Sequence, residues 1–225
     1  MRLYGFAILR NGIKYDYPFL ESLQSLDPIV EKTYLALGDS EDKTNELINE
    51  NDRLNITHTI WDDNYREGGK ILSQQTNLIL EKLKNDYGDQ ENNWGFYLQC
   101  DEVLNEEEYS KILEDISCAD KMGYDAVRFK YLHFWQSHEQ IAISRKWYPH
   151  EIRAIKLKSD IKSWGDAQSF KNYKKIYESD AHIFHYGHVR EESSYRIKKK
   201  DILTYYHQDD KIQKYRNKEI KVQSV

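Results

Sequence analysis

Trp94-Gly95-Phe96-Tyr97-Leu98-Gln99-Cys100-Asp101-Glu102-Val103 is the stretch on which the reading of this chain turns. An apolar run this short has the length of a buried strand rather than a helix. It runs straight into two adjacent carboxylates, Asp101 and Glu102. Asn105 then opens a helix, with Glu108 three residues on in the form of a capping box. A buried strand ending in acids carries charge to the carboxyl edge of a sheet, where open α/β folds bind their ligands. Hard oxygen ligands at such an edge suit Mg²⁺ or Mn²⁺ carrying a diphosphate. Read alone, the acidic pair has a second meaning, a turn and the cap of the next helix.

Toward the N terminus the same alternation repeats. Leu3 to Leu9 reads as a strand ending at Arg10-Asn11-Gly12. Pro18 sits where a first helical turn tolerates proline, Phe19, Leu23 and Leu26 follow at helical spacing, and Asp27-Pro28 stops the helix. Lys32 to Leu37 is a second strand, and the acid-rich loop Gly38-Asp39-Ser40-Glu41-Asp42-Lys43-Thr44 feeds a helix through Leu47 and Ile48. Leu54 to Ile60 is a third strand, leading into Trp61-Asp62-Asp63. Tyr65-Arg66-Glu67-Gly68-Gly69-Lys70 opens a long helix whose Leu72, Thr76, Ile79 and Leu83 share one face. The glycine pair between Arg66 and Lys70 is either a phosphate site at a helix N-terminus or a plain turn with solvated basic residues. Strands alternating with helices predict crossover units and a mainly parallel sheet.

Beyond the acidic pair the pattern is less regular. Asp125 to Leu132 and Ile152 to Leu157 read as strands, with Arg145-Lys146-Trp147-Tyr148-Pro149-His150-Glu151 before the second. Ser163-Trp164-Gly165-Asp166-Ala167-Gln168 reads as a loop placed to lie over a pocket. Ile183-Phe184-His185-Tyr186-Gly187-His188 closes the ordered core, and the Lys- and Tyr-rich remainder predicts a helix and a frayed tail. Eighteen tyrosines and five tryptophans supply rings with polar tips for pockets, interfaces or core packing. A net charge of −5 argues against a general nucleic-acid binder, which shows a basic footprint. Cys100 and Cys118 have no framework or zinc spacing and are expected to be reduced thiols. With no signal peptide and no apolar run of transmembrane length, the expected location is cytoplasmic. The run Lys198-Lys199-Lys200 is a solvated face, or a contact to an anionic membrane carrying a lipid-linked acceptor.

Taken together the motifs resemble the nucleotide-sugar glycosyltransferases of GT-A fold, in the broad family-two group. The order of six motifs carries the resemblance. The strand ending in Arg10-Asn11 is similar to the family's first strand and its Arg-Asn-Glu-like end. Gly38 to Thr44 is similar to the Gly-Ser-x-Asp-x-Thr loop that holds base and ribose. Trp61, Lys70 and Asn77 stand where the family has an aromatic residue, a Lys and an Asn. Gln99-Cys100-Asp101-Glu102 resembles the Asp-x-Asp-Glu end of the metal-binding strand, Glu151-Ile152-Arg153 a Glu-x-Arg element of the acceptor half, and His185-Tyr186-Gly187 a late histidine that completes the metal and diphosphate site.

The resemblance implies a Rossmann-like α/β domain over residues 1–190 and a charged C-terminal helix and tail over residues 191–225. It implies transfer of a sugar from a nucleotide diphosphate to a hydroxyl of a glycan or lipid-linked acceptor, assisted by Mn²⁺ or Mg²⁺. Asp101 and His185 are then the metal ligands. Arg10, Asn11, Asp39, Asp42, Trp61, Arg66, Lys70 and Gln99 bind the nucleotide sugar. Asp166 is the base that takes the acceptor proton, with Glu151 as its substitute. The chain departs from the pattern at Gln99, which hydrogen-bonds a hydroxyl but brings no charge to a cation. A nucleotidyltransferase on a related sheet is an alternative, although Arg10-Asn11-Gly12 offers one glycine where such enzymes have a glycine-rich loop. A non-catalytic binding module that kept the fold is the other, and Gln99 speaks for it.

Overall fold

Strand β1 (Arg2–Leu9) is apolar on both faces because both are covered, the pattern of a central parallel strand. Its neighbours β2 (Thr33–Gly38) and β4 (Asn93–Tyr97) are buried along their whole length. β3 (Leu54–Thr59), outside β2, is half-buried, as an edge strand is. The computed structural model describes residues 1–49, 53–143, 147–191, 193–194, 196–198 and 201. Arg145, Lys146, Lys199, Lys200 and residues 202–225, parts of the basic stretch, the lysine run and the expected tail, lie outside the described residues.

The other strands of the main sheet are β5 (Glu102–Val103), β6 (Ala126–Trp135), β7 (His150–Lys156) and β10 (Ile176–His188). The order is β3-β2-β1-β4-β7-β6-β10-β5. Only β7 and β5 run against the rest, so the sheet is mainly parallel, as the alternating pattern predicts. β8 (Lys162–Trp164) and β9 (Ser169–Lys171) form a separate hairpin.

Helices α1 (Phe19–Leu26), α2 (Thr44–Asn49) and α4 (Tyr109–Lys121) cover one face of the sheet, where Leu3, Trp94, Phe96 and Phe129 meet Leu26, Ile112 and Ile116. Helix α3 (Lys70–Tyr87) covers the other, packing Ile79, Leu80 and Leu83 on Tyr4, Phe6, Tyr34 and Tyr97. Alternation along each strand supplies both cores. Asn105 does cap the turn leading into α4, accepting from the Glu107 amide at 3.2 Å. The reciprocal half of the expected capping box does not form, because Glu108 binds the His182 amide at 2.5 Å and its Nδ1 at 2.9 Å instead. No helix of the described residues is long and apolar enough to cross a membrane.

Candidate active site at the carboxyl edge of the sheet

The parallel strands β1, β2, β3 and β4 all release their chains at one edge. Arg10 follows β1, Asp39 follows β2, Trp61 lies two residues past β3, and Gln99 to Asp101 follow β4. Where such strands diverge on either side of β1 and β4 a crevice opens. Here it is a cavity of about 280 Å³, lined among others by Arg10, Trp61, Gln99, Asp101, Asp166 and Lys198. Tyr15, Tyr17, Tyr97 and Tyr148 add four ring walls, a use for part of the tyrosine excess.

On one side, the Arg10 guanidinium stands over the Trp61 ring at 5.3 Å and its Nε is 3.2 Å from Asp39 Oδ1. Trp61 fits because residue 38 is glycine, since a β-carbon there meets the indole Nε1 at 2.5 Å. Asn11 and Asp42 are spent on the backbone. Asn11, buried in the left-handed region at φ 54°, accepts from the Glu41 amide at 2.7 Å and gives its own amide to Ser40 Oγ at 3.0 Å. Asp42 accepts from the amides of Lys14 and Thr44 at 2.7 and 2.9 Å, so it fixes the loop and starts α2. Burial alone raises the Asp42 pKa, but these hydrogen bonds reverse that and hold it below its ordinary value. Arg66 and Lys70 do not line the cavity. They flank the turn Gly68-Gly69, both in the left-handed region, before α3.

The β8–β9 hairpin roofs the cavity with Asp166, Ala167 and Gln168. Asn77 on α3 holds it by two bonds of 2.9 Å to the Ser163 backbone, and Gln99 Nε2 donates to Ala167 O at 3.2 Å. Asp166 faces the cavity. Glu151 stands one layer behind, buried on β7, accepting from Gln168 Nε2 at 2.6 Å, and burial raises its pKa.

On the far side, the pairing of short β5 with β10 brings the acidic end of β4 to the late histidine. His185 lies opposite Glu102 on one side and opposite His133 on the other. The two adjacent carboxylates part company. Glu102 is fully buried with Arg153, in a bidentate pair of 2.7 and 2.8 Å, and accepts the Tyr131 hydroxyl as well. Asp101 turns to the cavity, with Oδ2 3.8 Å from His185 Nε2 and 3.4 Å from Lys198 Nζ. Burial pushes the Asp101 pKa up, but Lys198, His185 and Arg190 outweigh it and hold the carboxyl well below the usual range. Burial draws Lys198 down to about 8 and Asp101 works against that, so the amine is charged at neutral pH.

Hydrogen bonding fixes the histidine tautomers. His133 Nε2 is 2.9 Å from the Tyr148 carbonyl, which only accepts, so Nε2 bears the proton and Nδ1 a lone pair. His185 Nδ1, 3.0 Å from that lone pair, must then donate, leaving a lone pair on His185 Nε2. Burial lowers both histidine pKa values, His185 to about 3, which keeps both rings neutral. Gly187 is required beside them, because any β-carbon there collides with the His185 ring.

The chemistry of this donor set is a poor match for a resident Mn²⁺ or Mg²⁺. One carboxylate and one imidazole face the spot, and an ammonium already stands on the same carboxylate oxygen. Among the described residues no group of three or more His, Cys, Asp or Glu is arranged to hold a metal. Such ions favour several oxygen ligands and net negative charge around them.

No family model matches the sequence and no curated protein matches it. Among solved structures, S. aureus TarS superposes with a TM-score of 0.54 at 13% identity, over 90% of this chain and 39% of that one. TarS 1-349 in complex with UDP gives 0.51 at 14% identity, over 91% of this chain and 65% of that one. TarS is a glycosyltransferase of GT-A-like fold. This chain has a GT-A-like fold.

It spans well under half the length of TarS, and the likeness is one of architecture. Within the GT-A-like frame, the sequence pointed to Arg10, Trp61, Gln99, Asp101 and Asp166, which the fold gathers at one cavity, with His185 beside Asp101. It missed Lys198, Tyr15, Tyr17 and Tyr148. The tyrosine excess was a signal for the rings. Nothing in the charged C-terminal sequence singles out Lys198 from its lysine neighbours.

Proposed function

We propose that this protein is a glycosyltransferase that moves a sugar from a nucleotide-diphosphate sugar to a hydroxyl of a glycan or lipid-linked acceptor. The observation that carries the reading is the convergence of Arg10, Trp61, Gln99 and Asp101 from the carboxyl ends of three parallel strands on one cavity. The UDP complex of TarS, a protein of the same fold, supports a nucleotide diphosphate as the ligand. In this reading the Trp61 indole and the Arg10 guanidinium receive the nucleoside, Asp39 orients Arg10, and Gln99 meets a ribose or sugar hydroxyl. Asp166, on the roof, takes the proton of the acceptor hydroxyl, which needs a carboxylate within hydrogen-bond reach. Glu151 supports the roof through Gln168 and is the substitute base. The protein works in the cytoplasm, at the membrane face where the acceptor is lipid-linked.

Thermal denaturation with UDP, GDP, CDP and dTDP in turn tests the reading. A ligand that binds the folded state raises the midpoint by mass action. One of the four is expected to do so, and no shift with any overturns the proposal. With the nucleotide known, release of nucleotide from its sugar donor measures turnover. Asp166→Asn is expected to lower turnover about 100-fold, the typical contribution of a positioned general base. Undiminished turnover removes Asp166 from the role. Nucleotide binding without release or transfer favours the binding module over the enzyme.

A further inference from the structure

At the inner end of the cavity an ammonium stands where a metal would be expected. At the place where the resemblance calls for two acids, Gln99 is neutral and Asp101 supplies one carboxylate, the other lining carboxylate, Asp166, being on the hairpin roof. Lys198 sits on that carboxylate at 3.4 Å, its side chain 19% exposed, with its ammonium 4.5 Å over the Tyr17 ring. Among the lining residues Arg10 and Lys198 balance Asp101 and Asp166, and Arg10 also carries Asp39 at 3.2 Å, so what the cavity offers an anion is two placed cations rather than a net charge. Asp101 Oδ2 and the lone pair of His185 Nε2 also converge at 3.8 Å with no hydrogen between them. Two acceptors in that position call for a donor or a cation, and the ammonium is the one at hand.

Lys198 is not held there by Asp101 alone. Asp201, three residues on, takes Lys14 Nζ at 2.9 Å and the Tyr15 hydroxyl at 3.3 Å. At the start of the segment, Arg190 donates to the Tyr15 carbonyl at 2.6 Å and the Glu191 amide to Asp16 Oδ2 at 3.1 Å. The C-terminal segment is thus tied on both sides of Lys198 to the loop that follows β1. An ammonium fixed by a carboxylate, a ring and two flanking anchors has its conformational entropy already restricted, the condition for strong ion pairing with a ligand.

We propose that Lys198 takes the place of the divalent ion, and that this site binds a nucleotide diphosphate by direct ion pairing to Lys198 and Arg10 without a metal. This rests on the nucleotide-diphosphate reading above and deepens it. Asp101 then acts as a positioning residue, aiming the ammonium into the cavity rather than ligating a metal. Gln99 follows the same logic, since a second acid beside Asp101 would repel the diphosphate if no metal stood between them.

Titration calorimetry of the full chain with UDP, in EDTA and again in Mn²⁺, tests this, with inorganic diphosphate as a competitor. UDP is expected to bind in EDTA with a Kd within about threefold of that in Mn²⁺, and diphosphate to compete. Lys198→Met is expected to weaken binding in EDTA by about tenfold or more, the scale of a lost charge-assisted hydrogen bond. Lys198→Arg, which keeps the charge, is expected to retain binding within about threefold. UDP binding that appears only with Mn²⁺ overturns this inference and leaves the proposed function standing, as does an unchanged Kd in Lys198→Met. If UDP binds in neither buffer, and GDP, CDP and dTDP fail as well, both are overturned. Should Lys198→Met fail to fold, shown by its urea midpoint, the wild-type comparison of EDTA with Mn²⁺ still decides.

Discussion

Asp101 and Glu102 are neighbours of the same charge with opposite surroundings. The chain turns at Cys100-Asp101, closed by the Glu102 amide on the Gln99 carbonyl at 2.8 Å, and the two carboxylates leave this turn in different directions, one to the cavity and the other to the core. There Glu102 is satisfied by Arg153, the Tyr131 hydroxyl and the Gln99 amide at 3.2 Å. That last bond connects the buried pair to the site, because it sets the loop from which Gln99 and Asp101 project. Removing one member of a buried ion pair strands the other charge, at a cost of about 3–5 kcal/mol. Glu102→Gln is therefore expected to lower unfolding stability by about that amount in urea titration. The double variant Glu102→Gln/Arg153→Met is expected to be less damaged than the single one, since no unpaired charge remains buried. The sequence showed the two acids and, separately, Arg153; only the fold shows that they are partners.

Among elements, the β8–β9 hairpin has the least support of its own. Two three-residue strands do not form an independent sheet, and its position comes from what it is tied to. Asn77 supplies two bonds, Ser73 Oγ lies 2.8 Å from the Gly165 carbonyl, and Phe170 is buried against Phe6 and Tyr97. Asn77→Ala loses both amide bonds and is expected to cost about 1–3 kcal/mol. Amide hydrogen exchange should localise the change, with residues 162–171 exchanging faster while β1 and β2 keep their protection. Equal acceleration in β1 contradicts a local role for the clamp. The sequence marked Ser163 to Gln168 as a pocket loop and Asn77 as a residue in a motif, yet sequence spacing carries no sign that one holds the other.

For the whole molecule, strand order departs from chain order. β7 lies between β4 and β6, and the two residues of β5 pair at the far edge on β10, the last strand. Neither half of the chain completes its own sheet, since β4 and β7 join the early strands to the late ones. Unfolding is therefore expected to be one cooperative transition. Far-UV circular dichroism, which follows all strands, and tryptophan fluorescence, which follows the buried Trp94 among others, should share one urea midpoint. Two separated midpoints contradict the single interlocked sheet.

The sequence by itself determined the parallel half of the sheet, the crossover helices, the α3 face and the acidic end of β4. Those follow from local periodicity and from chain length between breakers, which neighbouring residues encode. The choice of Glu102 as a core residue, the pairing of His185 with His133, the clamp of Asn77 on the hairpin and the placing of Lys198 on Asp101 belong to the tertiary structure. Each joins residues tens of positions apart, and the energy that selects one partner over another comes from burial and charge pairing that exist only once the sheet has closed around them.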